Sequence, residues 1–224
     1  MCGRYVVTGL EHFKARFNIS DTLYDTVENQ NNYNVAPGQT MPVITHDEKG
    51  NHLKNMKWGL VPHWAKDPAI GFKTINARIE TIRHKPAFEK PFKTQRILVP
   101  ASGFYEWKHL GKEKIPYFIH PKDSDIWSFA GLYDIWEEEP FGNKLYSFTI
   151  ITKQPPKDLM EIHNRMPAIV PKDLEEDWLD ETNKDSDKLI KILDQEYTEY
   201  DYYQVSNLVN KPINQGPELL KKAS

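Results

Sequence analysis

Three observations in this sequence predict an α+β fold: a single domain over residues 1–224, with curved, mainly antiparallel β-sheets forming a partly closed barrel flanked by helices. Short runs rich in Val, Ile, Phe, Tyr and Trp recur along the chain, bounded by Gly, Pro, Asn or Asp. These runs outnumber the stretches with helical spacing. The two kinds do not alternate, as a doubly wound parallel sheet requires.

Taken in order, strands are expected over residues 4–7, 41–45, 55–58, 96–99, 104–108, 117–120, 126–132, 145–152 and 202–205. Leu110-Gly111-Lys112 reads as a hairpin loop between two of them. Apolar spacing of the helical kind occupies 10–17, 77–84, 157–162, 172–179 and 185–193. Asp173 and Asp185 lie near helix starts, where a carboxylate caps free N–H groups. Gly216-Pro217 opens a short terminal helix, and residues 29–32 form a short polar loop. No repeat, low-complexity segment or linker divides the chain.

With 39% apolar and 12% aromatic residues, the composition suits a packed, multi-stranded protein. The chain has 1 cysteine, so no internal disulfide can form, which fits a reducing cytoplasm. No basic segment followed by an apolar run marks a secretory signal, and no stretch approaches the roughly 20 apolar residues of a membrane span. A soluble cytoplasmic protein without a membrane partner is expected. The net charge of −3 conceals an uneven distribution. Residues 51–122 hold 14 Lys and Arg against 5 Asp and Glu, and residues 123–201 hold 8 against 20. A basic half beside an acidic half suits a polyanion-binding face, unless folding intermixes the two.

Cys2, the single cysteine, follows the initiator methionine directly. Cysteine is small enough for Met1 to be removed, which leaves an α-amine and a β-thiol with ordinary pKa values of roughly 7.7–8.0 and 8.5. The pair can condense with an aldehyde to an imine and then close to a thiazolidine. Alternatively, the amine serves as base for its own thiol, as in N-terminal-nucleophile hydrolases. The plain alternative is an incidental residue at a frayed terminus.

Four further segments stand out: Tyr33-Asn34-Val35-Ala36-Pro37-Gly38, Thr74-Ile75-Asn76-Ala77-Arg78-Ile79-Glu80-Thr81, Gly103-Phe104-Tyr105-Glu106-Trp107 and Ile162-His163-Asn164-Arg165-Met166-Pro167. Asn76 and Arg78 sit where a loop enters the expected helix. There Asn76 either caps the helix or offers its amide to a substrate oxygen, with Arg78 pairing to a phosphate. Strand alternation sets Glu106 opposite Tyr105 and Trp107. It is solvent-exposed if those aromatics face the core, and a proton carrier of raised pKa if the sheet curves into a cleft. His163 is either structural or a titrating group near neutrality. Trp58, Trp64, Phe72, Tyr105 and Trp107 lie in the basic half, as core residues or as surfaces for unpaired bases. Metal binding finds little support, with no HExxH and no Cys/His cluster, and there is no P-loop or GxGxxG.

Together with Met1-Cys2-Gly3-Arg4-Tyr5, these segments resemble the SOS response-associated peptidase family, the SRAP-domain proteins that bind abasic sites in single-stranded DNA. Val205-Ser206 and Asn214-Gln215-Gly216 also fit, and the match runs in order over nearly the whole chain. The resemblance implies the SRAP fold, autocatalytic removal of Met1, and a covalent thiazolidine between Cys2 and the ring-opened aldehyde of an abasic sugar, which shields the lesion. Glu106 then relays protons and carries reversal, and His163 protonates the sugar hydroxyl or assists imine formation. Asn76 orients the aldehyde or the amine. Arg4 and Arg78 hold phosphates, Pro37 and Trp107 stack or wedge around the missing base, and Arg165 contacts DNA. No cofactor or metal is implied, and the protein is expected as a monomer, nucleoid-associated when bound. Met166 departs from the arginine usual there. His163-Asn164 replaces a His-Asp pair, which leaves the orientation of His163 open.

Two rivals follow from the same residues. Class II glutamine amidotransferases also begin Met-Cys-Gly, but the Asn-Gly-Glu run sought in them is absent. The other is a plain single-strand binder, whose salt-sensitive binding is indifferent to Cys2.

Overall fold

The computed structural model describes residues 2–19, 31–123, 126–138 and 140–223. In chain order the strands are β1 (Tyr5–Val7), β2 (Asn32–Val35), β3 (Thr40–Asp47), β4 (Gly50–Trp58), β5 (Asn76–Arg78), β6 (Arg96–Ala101) and β7 (Gly103–Leu110). They continue as β8 (Glu113–Pro121), β9 (Trp127–Glu138), β10 (Asn143–Lys153), β11 (Met166–Pro167), β12 (Ile169–Val170) and β13 (Tyr200–Gln204). The helices are α1 (Phe13–Arg16), α2 (Glu89–Thr94), α3 (Glu175–Leu179) and α4 (Ser186–Leu193), joined by short 3-10 turns.

One sheet closes on itself. β10 pairs antiparallel with β9 and parallel with β4, and the antiparallel pairs β4–β3, β3–β6 and β6–β9 complete a five-stranded barrel. Gly131 lets β9 pass close to β6, because a Cβ there would stand 2.9 Å from Ile97 Cγ1. A second, wholly antiparallel sheet runs β13-β8-β7-β1-β2. Strand alternation gives it two buried faces. Tyr5, Val7, Phe104 and Ile119 join the main core, where the Tyr5 ring meets Trp58 edge-on at 5.2 Å. Val6, Tyr105 and Phe118 form a smaller cluster with Val205 and Val209 of the C-terminal segment.

Helices α2 and α3 meet around a buried cation outside the barrel. Arg96 is 1% exposed and donates to Phe92 O and Lys93 O in α2, at 3.0 and 2.7 Å. It also donates to Trp178 O in α3 at 2.6 Å and to Asn183 O at 3.1 Å. Carbonyls near helix C-termini carry partial negative charge, so they satisfy the guanidinium without a carboxylate. Burial lowers its pKa to about 10, which keeps it charged at neutral pH.

Each expected strand falls on an observed one, and the 110–112 turn joins β7 to β8. Asp185 caps α4 by accepting from Asp187 N and Lys188 N, and Gly216-Pro217 opens a 3-10 turn. Other expectations are corrected. The helix expected over 77–84 is instead β5 followed by turns, because residues 76–78 pair in parallel with β10, from Ile150↔Asn76 to Thr152↔Arg78. Ala77 and Ile82 are both fully buried without a helix. Asp173 lies inside a 3-10 turn and is not the cap of α3. Of the polar loop at 29–32, residues 29 and 30 lie outside the described residues, and Asn32 opens β2.

Candidate active site around Cys2

β1 delivers Cys2 to the core. Tyr5 pairs with Phe104 on β7, and the ladder runs one residue beyond, the Tyr105 N–H donating to Arg4 O at 3.0 Å. Continued, this register sets Gly3 opposite Glu106. Cys2 is fully buried, with its thiol donating to Arg4 O across 3.9 Å. Burial raises the thiol pKa well above its ordinary value, and the neighbouring Glu106 carboxylate adds to the shift. The resting sulfur is therefore a thiol and not a thiolate.

Glu106 shares a face of β7 with Phe104, the face turned to the main core. It is 4% exposed, and burial pushes its pKa up to about 8. Residues 103–106 of β7 are buried, so Glu106 is not solvent-exposed, and its carboxyl is mostly protonated at neutral pH. His163 Nδ1 stands 3.7 Å from Glu106 Oε1 and accepts from the Arg165 N–H at 3.0 Å. Burial lowers the His163 pKa. The ring is neutral at neutral pH, and Nδ1 also lies 3.2 Å from the Arg165 carbonyl oxygen. Its orientation comes from the backbone of Arg165, and Asn164 is exposed.

Arg165 is itself buried. Its guanidinium makes a two-pronged pair with Glu80, at 2.6 and 3.1 Å, and donates to Thr152 O at 2.5 Å. Met166, in place of arginine, is 1% exposed and lines an apolar wall with Phe104, Ile119 and Ile162 behind Glu106 and His163.

In front of the pair opens a groove of about 560 Å³, lined by Arg4, Glu106, Trp107, His109, Lys114, His163 and Asn210. Arg4 is tied down at its rim, donating to Asn34 Oδ1 and Val209 O at 2.8 Å each, with its guanidinium 5.9 Å from the Trp107 ring centre. Trp107 Nε1 donates to Asn210 Oδ1 at 2.7 Å. Asn34 organises this rim from beneath. Fully buried, it donates to Val209 O, Lys211 O and Asn214 O at 3.0–3.2 Å.

Asn76 donates weakly to Ile150 O at 3.4 Å. Its Oδ1 is buried without a hydrogen-bond partner among the described residues, a costly arrangement unless a ligand completes it. Arg78, two residues on, is exposed. Pro37 precedes Gly38, whose φ of 89° makes the turn after β2. The Phe72 ring lies against that turn, 3.9 Å from where a Gly38 Cβ would be. The five aromatics named above as candidate stacking surfaces divide clearly: Trp58 and Tyr105 are core, while Trp64 and Phe72 are 50% and 71% exposed. Trp107 is intermediate. Sequence reasoning did not single out His109, Lys114 or Asn210, nor did it show that Arg165, expected on DNA, pairs with Glu80. No local signal marks them, since their partners are brought in from distant segments.

A barrel whose flanking sheet carries a near-terminal cysteine to a carboxylic acid and an oriented imidazole defines a terminal-cysteine site beside a cationic groove. The family model described as SOS response associated peptidase (SRAP) matches residues 1–212, and the chain belongs to that family. It is 45% identical over 225 residues to the abasic site processing protein YoqW of Bacillus subtilis (strain 168), covering 99% of each chain. It is 34% identical over 229 residues to the abasic site processing protein HMCES of Xenopus tropicalis, covering 88% of this chain and 67% of that one. A crystal structure of a Bacteroides thetaiotaomicron protein superposes with a TM-score of 0.88 at 29% identity, covering 100% of both chains.

Proposed function

We propose that this protein processes abasic sites in single-stranded DNA by linking Cys2 covalently to the ring-opened sugar. The observation that carries the reading is a near-terminal thiol buried beside a carboxyl of pKa about 8 and a neutral imidazole, at the end of a groove with cationic walls.

The chemistry follows from these protonation states. Met1 leaves first, by hydrolysis of the Met1–Cys2 bond with one water consumed; we assign this step to the chain itself. The freed α-amine attacks the aldehyde carbon to give a carbinolamine. Protonated Glu106 supplies a proton to the departing hydroxyl, water leaves, and an imine forms. The Cys2 S–H then adds across the C=N bond, sulfur to carbon and proton to nitrogen, closing the thiazolidine. The sum of the linking steps is loss of one water. A neutral thiol suits this order, since the amine is the first nucleophile and the sulfur acts second.

The remaining residues position the strand. His163 donates to the sugar oxygen as the ring opens. Asn76 Oδ1 accepts from the carbinolamine hydroxyl or the amine. Arg4 and Arg78 hold phosphates, Pro37 and Trp107 flank the gap left by the base, and Phe72 and Trp64 are further stacking surfaces. Arg165, committed to Glu80, is assigned to holding His163 and not to a phosphate. No cofactor is required, and a monomer suffices.

The test is a denaturing gel of purified protein mixed with single-stranded DNA carrying one abasic site. We expect a denaturant-stable adduct in wild type and none in Cys2→Ala. No adduct, or one that persists in Cys2→Ala, overturns the reading.

A further inference from the structure

The β7–β8 arm carries two groups that the chemistry at Cys2 does not use. His109 and Lys114 face each other across the hairpin register, two pairs beyond Trp107↔Pro116. Residues two apart on a strand share a face, so Trp107, His109 and Lys114 present one surface. All three line the groove that holds Arg4, Glu106 and His163. Both His109 and Lys114 are exposed, and neither makes a hydrogen bond or ion pair among the described residues. Their neighbours are committed: Trp107 to Asn210, Lys108 to Glu161 at 3.3 Å, and Arg4 to Asn34 and Val209. The arm is thus braced while these two groups stay open to an anion from solvent. Among the described residues, Glu106 is the one carboxyl in the groove lining.

Building on the single-strand DNA reading above, we propose that the His109–Lys114 pair is a phosphodiester-binding subsite for the strand flanking the lesion, with Trp107 as the adjacent stacking surface. The pair lies two residues from Trp107, about 6.8 Å along the strand, comparable to one nucleotide of an extended backbone. A base resting on Trp107 therefore brings a neighbouring phosphate within reach of the lysine.

The test is equilibrium binding of a single-stranded oligonucleotide carrying a tetrahydrofuran abasic analogue, which lacks the aldehyde and cannot crosslink, across a salt series. Lys114→Glu is expected to weaken binding about 10-fold and to lower the salt slope by about one phosphate contact. His109→Ala is expected to cost about 3-fold, and Lys112→Glu, the same charge change at the hairpin tip, less than about 2-fold. Lys114→Glu binding no worse than Lys112→Glu overturns the subsite and leaves the underlying reading intact. A wild-type protein that neither binds this oligonucleotide nor crosslinks the reactive one overturns both.

Discussion

His163 Nδ1 stands 3.7 Å from Oε1 of Glu106 while accepting a hydrogen bond from the Arg165 backbone. The imidazole is thereby held in place beside a carboxyl whose pKa burial has pushed up to about 8. At neutral pH both groups are uncharged, and each carries a proton that it can donate. Such a pair moves protons in either direction without first building charge in an apolar pocket.

Glu106→Gln is expected to slow reversal of the Cys2–DNA crosslink more than it weakens DNA binding. In wild type the rate of crosslinking should fall above about pH 8, as the carboxyl loses its proton. The variant should be slower and lack that limb. Single-turnover rates from pH 6 to 9 check this; equal reversal rates in the two proteins remove Glu106 from the mechanism.

The same carboxyl affects stability with a definite sign. Its pKa is raised from 4.5 to about 8 on folding, so the folded state binds the proton more tightly. That contribution is fully present below the unfolded value and is lost as pH rises through the folded one. Wild type should therefore lose stability relative to Glu106→Gln between pH 5 and 9, on the order of a few kcal/mol. Denaturant unfolding at several pH values measures the difference.

Glu80→Ala should act through Arg165. It leaves a buried guanidinium with Thr152 as its one side-chain partner among the described residues. Because Glu80 is 48% exposed, the stability cost should be roughly 1–3 kcal/mol, less than for a fully buried pair. Crosslinking should fall roughly 10- to 100-fold as His163 loses its placement, with a smaller change in DNA affinity. Rates and affinities measured side by side separate the two effects.

Phe72→Ala and Trp64→Ala should weaken binding to single-stranded DNA by roughly 1–3 kcal/mol each if each stacks one base. Both side chains are largely exposed, so the melting temperature should stay within a degree or two of wild type. Anisotropy titrations and thermal melts on the same preparations test this.

Much of the fold was legible because strands leave local marks. The long hairpin partners β9 and β10 announce themselves by β-branched and aromatic runs. β5 did not, because three residues of parallel pairing with β10 leave no periodicity of their own. The chemistry-bearing residues were legible as motifs, since Cys2, Glu106 and His163 each sit in a recognisable segment. What joins them was not. The burial of Glu106 depends on the second sheet being covered on both faces. The true partner of Arg165 lies 85 residues away in sequence. Asn34 reads as one polar residue in a short strand, yet it holds three carbonyls of the C-terminal segment.

The account turns on a free Cys2 amine and a closed ring. Its most direct test is the intact mass of the species formed with a single-stranded oligonucleotide carrying one abasic site. The predicted mass is that of the chain without Met1 plus the oligonucleotide, less one water. An adduct that retains Met1, or the absence of any covalent species, would contradict it.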